Sequence, residues 1–255
     1  MRGFGAFLAK ELAEIVRTWR IWVLPGMVLF FAVSGPPLAA LTPELVSSLV
    51  TQDTPGVVIQ LPDPTYVDAY AQWAKNLSQI VLFAVIIMFG GMVSSERRSG
   101  TAALVLAKPL DRSAFIVAKA VSHAALLIAS VAVGAVVTWG VTLAIFGEAP
   151  VGRLVASTAA WLVLALLFLA LMEALSASID SQAGAAGLGL AAFMLLSIAT
   201  LWGPLQRYSP AGLMNAPAEI VADKPVELLW PLVTTATATV VLVAVAVWVF
   251  RRREL

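Results

Sequence analysis

Six stretches of this chain, 21–41, 77–93, 121–146, 154–179, 184–202 and 228–250, are apolar over nearly their whole length. A bilayer core takes about 20 such residues per helix. Hydrocarbon offers no water to backbone N–H and C=O groups, so a spanning segment must satisfy them internally, as a helix does. The runs therefore predict an all-α, polytopic membrane protein with six transmembrane helices. Composition agrees: 60% of residues are hydrophobic and 12% charged, too little polar surface to coat a soluble particle of 255 residues.

The first run contains Pro25, Gly26, Gly35, Pro36 and Pro37. Proline removes a backbone donor and clashes with the preceding turn, which predicts a kinked or broken first span. The third helix is expected to start before its apolar run, near Arg112. Charge sets orientation. With both termini cytoplasmic, the inner side holds twelve basic residues and the outer side only Lys75, Arg153, Arg207 and Lys224. Glu11 and Glu14 in a lead of twenty residues argue against a cleaved signal peptide, whose n-region is short and positive.

Residues 1–20 read as an amphipathic helix lying in the membrane interface. Phe4, Leu8, Leu12, Ile15 and Trp19 recur at helical spacing, with Lys10, Glu14 and Arg17 opposite. The outer loop 42–76 offers a helix start at Thr42-Pro43-Glu44 and a second at Asp63-Pro64-Thr65, which runs on into the second span. Tyr66, Tyr70, Trp73 and Leu77 then share one face, either as a packing or interfacial stripe or as a substrate surface. A short helix is expected over 211–221 in the outer segment 203–227. The small residues Gly184, Ala185, Ala186, Gly187 and Gly189 give the fifth span a close-packing face, within the subunit or against a second copy.

Between the second and third spans the apolar pattern breaks at Ser94-Ser95-Glu96-Arg97-Arg98-Ser99-Gly100-Thr101 and again at Lys108-Pro109-Leu110-Asp111-Arg112. This 94–112 segment sits in water at the cytoplasmic face, and an apolar run between charges is suited to docking. Catalytic patterns are missing. No Gly-x-x-x-x-Gly-Lys-Ser/Thr phosphate loop, His-Glu-x-x-His motif or Gly-x-Ser-x-Gly elbow occurs. Cysteine is absent and His123 is the single histidine, so thiolate and multi-histidine metal sites are out. The chain is expected to be no enzyme, with no metal and no cofactor of its own. Nothing in its charge points to nucleic acid.

Glu173 stands inside the fourth span, on the order of 10 Å from its cytoplasmic end. An ionisable group there costs several kcal/mol unless paired or neutral, and marks either a structural contact or a substrate or proton role. Lys119 and His123, four residues apart on the third helix, lie at similar depth and are its expected partners.

The layout resembles the type 2 ABC transporter permeases, the six-helix membrane subunits of exporters. Residues 1–20 match their elbow helix. Glu96, Gly100, Thr101 and Pro109 match their signature after the second span, and 203–227 match their helical outer segment. The long 42–76 loop departs from the short loop many members have. The resemblance implies that 96–110 is a coupling helix seated in a separate ATPase subunit. Ala102, Ala103, Leu104, Val105 and Leu106 would make the buried contact, and Glu96, Arg97, Arg98 and Arg112 the charged rim. It further implies two ATPase copies, a second permease chain (homo- or heterodimer), and a pathway between the halves lined by the first, second and fifth spans in the cell membrane. ATP would be hydrolysed on the partner. Two other readings stand beside it. One is an ion- or proton-coupled secondary carrier, which would show internal repeats and several intramembrane charges. The other is a membrane subunit that transmits ATPase motion without moving solute.

Overall fold

The computed structural model describes residues 3–18, 20–53, 62–107 and 110–253. Within them the regular structure is helical, with no strands. Among the described residues six helices are long and apolar enough to cross a membrane: Trp22–Ser47, Tyr66–Arg98, Arg112–Phe146, Val151–Ser178, Gln182–Ala199 and Leu229–Arg252.

The N-terminal helix α1 (Phe4–Arg17) precedes α2 (Arg20–Asp53), the first span. α1 buries Phe7, Glu11 and Ile15, one residue per turn. Leu12, expected on that face, is instead exposed. The buried line is shifted because it follows the α7 surface it packs on, not the centre of the apolar stripe. Trp19 lies outside the described residues. α2 is continuous through Pro25, Pro36, Pro37 and Pro43, so the expected break is not there. The expected start at Thr42 is also absent. The Thr42 hydroxyl donates back to the Leu38 carbonyl at 2.7 Å, tying it to the previous turn instead of capping a new helix. At 34 residues, α2 is about 51 Å long and outruns the hydrocarbon core.

The second span is assembled from α3 (Tyr66–Asn76), a single π turn over Leu77–Val81 and α4 (Leu82–Phe89). It starts at Tyr66 with Thr65 as its cap, two residues later than the start at Pro64 expected from sequence. Thr65 Oγ1 accepts from Val67 N–H at 3.3 Å, and Asp68 Oδ2 accepts from Thr65 N–H at 2.8 Å. This reciprocal pair satisfies donors that the first turn would leave bare. Tyr70, Trp73 and Leu77 are buried, and the Trp73 indole N–H donates to Thr158 Oγ1 at 3.1 Å. The aromatic stripe is therefore a packing face.

Two short helices follow, α5 (Ser94–Arg98) and α6 (Thr101–Leu106), then the spans α7 (Arg112–Phe146), α8 (Val151–Ser178) and α9 (Gln182–Ala199). The outer segment forms α10 (Gly203–Tyr208) and α11 (Gly212–Val221), the second as expected, and α12 (Leu229–Arg252) is the last span. α8 is the hub: α4, α7, α9, α11 and α12 all pack on it, while α2 lies against α7 and α3. Ser157 Oγ donates to the Pro217 carbonyl at 2.9 Å, fixing α11 on α8.

Small residues set the closest crossings. A Cβ on Gly134 of α7 would stand 2.5 Å from Val28 Cγ1 and 2.7 Å from Trp73 Cη2. One on Gly189 of α9 would collide with Met172 and with Ile86. Of the small residues of the fifth span, Ala185, Ala186 and Gly189 are thus buried inside the subunit, while Gly184 and Gly187 stay exposed. α9 and α12 expose apolar side chains such as Met194, Leu195, Val240 and Val241, the surface expected against lipid.

Both described ends of the chain meet at one end of the bundle. Phe7, Phe115 and Phe250 stack there, with ring centroids 5.1 and 5.0 Å apart. Arg17, Arg97, Arg98, Arg112 and Arg251–253 gather at the same end, which the positive-inside rule puts in the cytoplasm.

Candidate functional site

At this basic end the second span stops in a turn over residues 90–93, and α5 leaves at its foot. A helix restart in a buried place leaves backbone donors bare. Ser176 of α8 accepts two of them on one hydroxyl, from Val93 N–H at 3.0 Å and Ser94 N–H at 3.1 Å. Replacing Ser176 by alanine strands both donors. The expected cost is about 1–3 kcal/mol, read as a lower unfolding midpoint of the purified protein and faster hydrogen exchange at residues 93–95.

Gly100 links α5 to α6 at φ 74°, in the left-handed region where side chains are strained. That turn folds the segment into a two-helix handle. The sequence-selected residues divide there. Ala102 is fully buried within the chain itself, so it is not available for docking. Leu104 is 75% exposed, and Arg98 is exposed as well. Thr101 shares a 2.8 Å hydroxyl contact with Ser99. Pro109, with Lys108, lies outside the described residues, and the Ala103 side chain is likewise not described.

Glu96, Arg97 and Arg112, expected as charged rim contacts for a partner, are spent inside the chain. The Lys119 ammonium is completely buried and holds Glu11 Oε2 of α1 at 2.9 Å, together with Glu96 Oε1 of α5. Lys119 thus ties elbow helix, handle and third span at one point. Glu14 stands close by, and the three carboxylates lie within 4.8 Å of one another. Lys10 balances them from the rim, pairing with Glu11 at 3.0 Å and with Glu14. Burial alone would lower the Lys10 pKa, but Glu14 and Glu11 outweigh it and raise it. Two ammonium groups already sit among three carboxylates, which leaves the cluster one negative charge.

Arg97 crosses to α8, donating to the Ala177 carbonyl at 3.0 Å and pairing with Asp180. Arg253 grips the same Asp180 at 3.3 Å. Arg112 donates to the carbonyls of Arg251 at 3.0 Å and Arg253 at 2.9 Å. The handle is therefore bolted to α8, and the start of α7 to the end of α12.

Glu173 is fully buried on the side of the bundle expected, facing α7, where the charge of its expected partner Lys119 acts on it without a direct hydrogen bond. The direct ion pairs of Lys119 go to Glu11 and Glu96. His123 Nδ1 donates to the Lys119 carbonyl at 2.8 Å, and its ring meets Phe89 edge-on. The Ala120 backbone faces Glu173, yet its N–H belongs to the α7 ladder. Neither Glu173 oxygen has a hydrogen-bond partner among the described residues.

Three contributors escaped the sequence reading: Glu11, Asp180 and Ser176. Glu11 carried a signal, since it follows Phe7 and precedes Ile15 by one helical turn each and so lies on their face.

The chain is similar along its whole length to the uncharacterized transmembrane protein YxlG of Bacillus subtilis (strain 168). The two are 24% identical over 266 residues, covering 100% of this chain and 99% of YxlG. A family profile described as a protein of unknown function, DUF2705, matches residues 59–255. That stretch begins just before the Thr65 cap and takes in five spans, the handle and the whole of the Lys119 and Arg97 anchorage except α1. This multi-pass membrane protein belongs to the DUF2705 family.

Proposed function

We propose that the chain is the permease subunit of an ABC exporter in the cell membrane, pairing with a second permease chain and driven by separate ATPase subunits. The observation that carries the reading is the handle α5–α6. It is apolar at its exposed tip, at Leu104, and rigidly anchored at its root through Glu96 and Arg97. A lever needs both properties: a contact that a moving partner can grip and stiff links into the bundle. Push on the tip would pass through Lys119 to α1 and α7, and through Arg97 to α8, as a rigid-body displacement.

The test is affinity purification of the tagged full chain from its native membranes, followed by MgATP hydrolysis and identification of the retained protein by its phosphate-binding loop. Wild type is expected to retain an ATPase. Leu104→Asp puts a charge into the apolar contact and should cut retention by at least tenfold, as loss of a central interface residue does. Its unfolding midpoint should change little, because Leu104 is mostly exposed. Absence of any ATPase, or equal retention by the variant, would refute the reading.

A further inference from the structure

We propose that the groove between the start of α7 and the end of α12 is a binding site for one anionic phospholipid of the cytoplasmic leaflet, with Arg251 and Arg252 holding its phosphate. The groove has a volume of about 730 Å³. Its wall on α12 is apolar, formed by Val240, Val243 and Val247, with Ala244 leaving room between them; Val117 of α7 faces them. From Val240 to Arg251 it runs about 16 Å along the helix axis, a depth that takes much of an acyl chain. Its mouth is polar and cationic, made by Ser113, Arg251 and Arg252. Among the described lining residues none is acidic.

The two arginines are available because other groups do the local structural work. Lysine and arginine near a helix C-terminus usually serve its bare carbonyls. Here Arg112 reaches across from α7 to take the Arg251 and Arg253 carbonyls, and Arg253 turns inward to Asp180 and to the Ser178 carbonyl. Arg252 lays its guanidinium 4.3 Å from the centre of the Trp248 ring. Stacking on that face restrains the side chain but leaves its in-plane N–H donors directed outward, the fork geometry that suits a phosphate. Trp248 is half exposed at the same level, the position that tryptophan favours in the headgroup layer. Basic pockets between spans on the cytoplasmic side match anionic headgroups in just this way. A second copy of the chain docked here would bury both guanidinium groups with no carboxylate from the groove to meet them, at a cost a phosphodiester removes.

The test uses the full chain purified in mild detergent, with retained lipid counted by native mass spectrometry. Dioleoyl phosphatidylglycerol and dioleoyl phosphatidylcholine are supplied in equal amounts, with and without millimolar inorganic phosphate. The expected result is one phosphatidylglycerol retained per chain in preference to phosphatidylcholine, and no displacement by phosphate. Each arginine near an anionic headgroup is worth roughly fivefold, so Arg251→Gln with Arg252→Gln should weaken retention on the order of 25-fold. Ala244→Leu fills the groove with both arginines intact and should also lower retention. Equal retention of the two lipids, or retention unchanged in the double arginine variant, overturns the proposal. So does displacement by phosphate alone, which would make the site one for a free anion. Conversion of a dimer to a monomer by Ala244→Leu with lipid retention unchanged would make the groove a contact between copies and overturn it as well.

Discussion

Lys119→Met is expected to be the most damaging single substitution in the basic end of the bundle. It removes the cation from Glu11 and Glu96 while leaving both carboxylates largely enclosed. Breaking one partner out of a buried ionic cluster typically costs about 3–5 kcal/mol, and the expected fall in unfolding midpoint is on the order of 10 °C. The elbow helix should also come loose, so protease should cut near residues 17–20 at concentrations that spare wild type. The cost belongs to the stranded charges and not to lost attraction. A triple variant, Lys119→Met with Glu11→Gln and Glu96→Gln, should therefore recover most of the stability, since an apolar replacement of a whole buried cluster is often close to neutral. A single variant that melts with wild type, or a triple variant worse than the single, would show that the three groups do not act as one.

The second large effect is steric. Gly134→Leu is expected to cost on the order of 3 kcal/mol, the upper end for overpacking a tight core. The first atom beyond Cα already meets Val28 on α2 and Trp73 on α3, and the Trp73 indole is held in place by Thr158. Neither neighbour can retreat without opening the α2–α7–α3 crossing. Gly140→Leu is the matched control: its Cβ would meet nothing within 4 Å, so it should unfold like wild type. Thermal unfolding of both variants in the same detergent separates the crossing from a general intolerance of leucine in α7. If the two variants unfold alike, the crossing is not set by Gly134.

Much of this fold was legible because lipid leaves the backbone few choices. The spans, the start of the third helix at Arg112 and the outer helix α11 follow from apolar run length and turn chemistry. Proline in the first span misled for a related reason. In the open, a lost hydrogen bond lets water enter and the helix breaks. Within α2, Ala32 and Ala39, four residues before Pro36 and Pro43, are buried, and the helix continues. The handle was visible as a charged interruption, but the destinations of its charges were not. Glu96 finds its cation on the next span, and the other carboxylate on that cation comes from Glu11, 108 residues before Lys119 in the chain. No periodicity encodes a pairing of that separation. Ser176 was hidden for a different reason: a serine in an apolar span ordinarily bonds to its own helix, as Ser178 does, and only the position of the turn at 90–93 assigns Ser176 another task.

The stacked rings of Phe7, Phe115 and Phe250 have a consequence for how the protein is made. Phe7 emerges from the ribosome well ahead of Phe115, and Phe115 well ahead of Phe250. The middle ring therefore waits with one face bare until α12 has been threaded into the bilayer. Closure of this seam waits for α12. Chains that lack α12 would carry an unsealed aromatic face at the cytoplasmic surface, a mark by which quality-control proteases could recognise them.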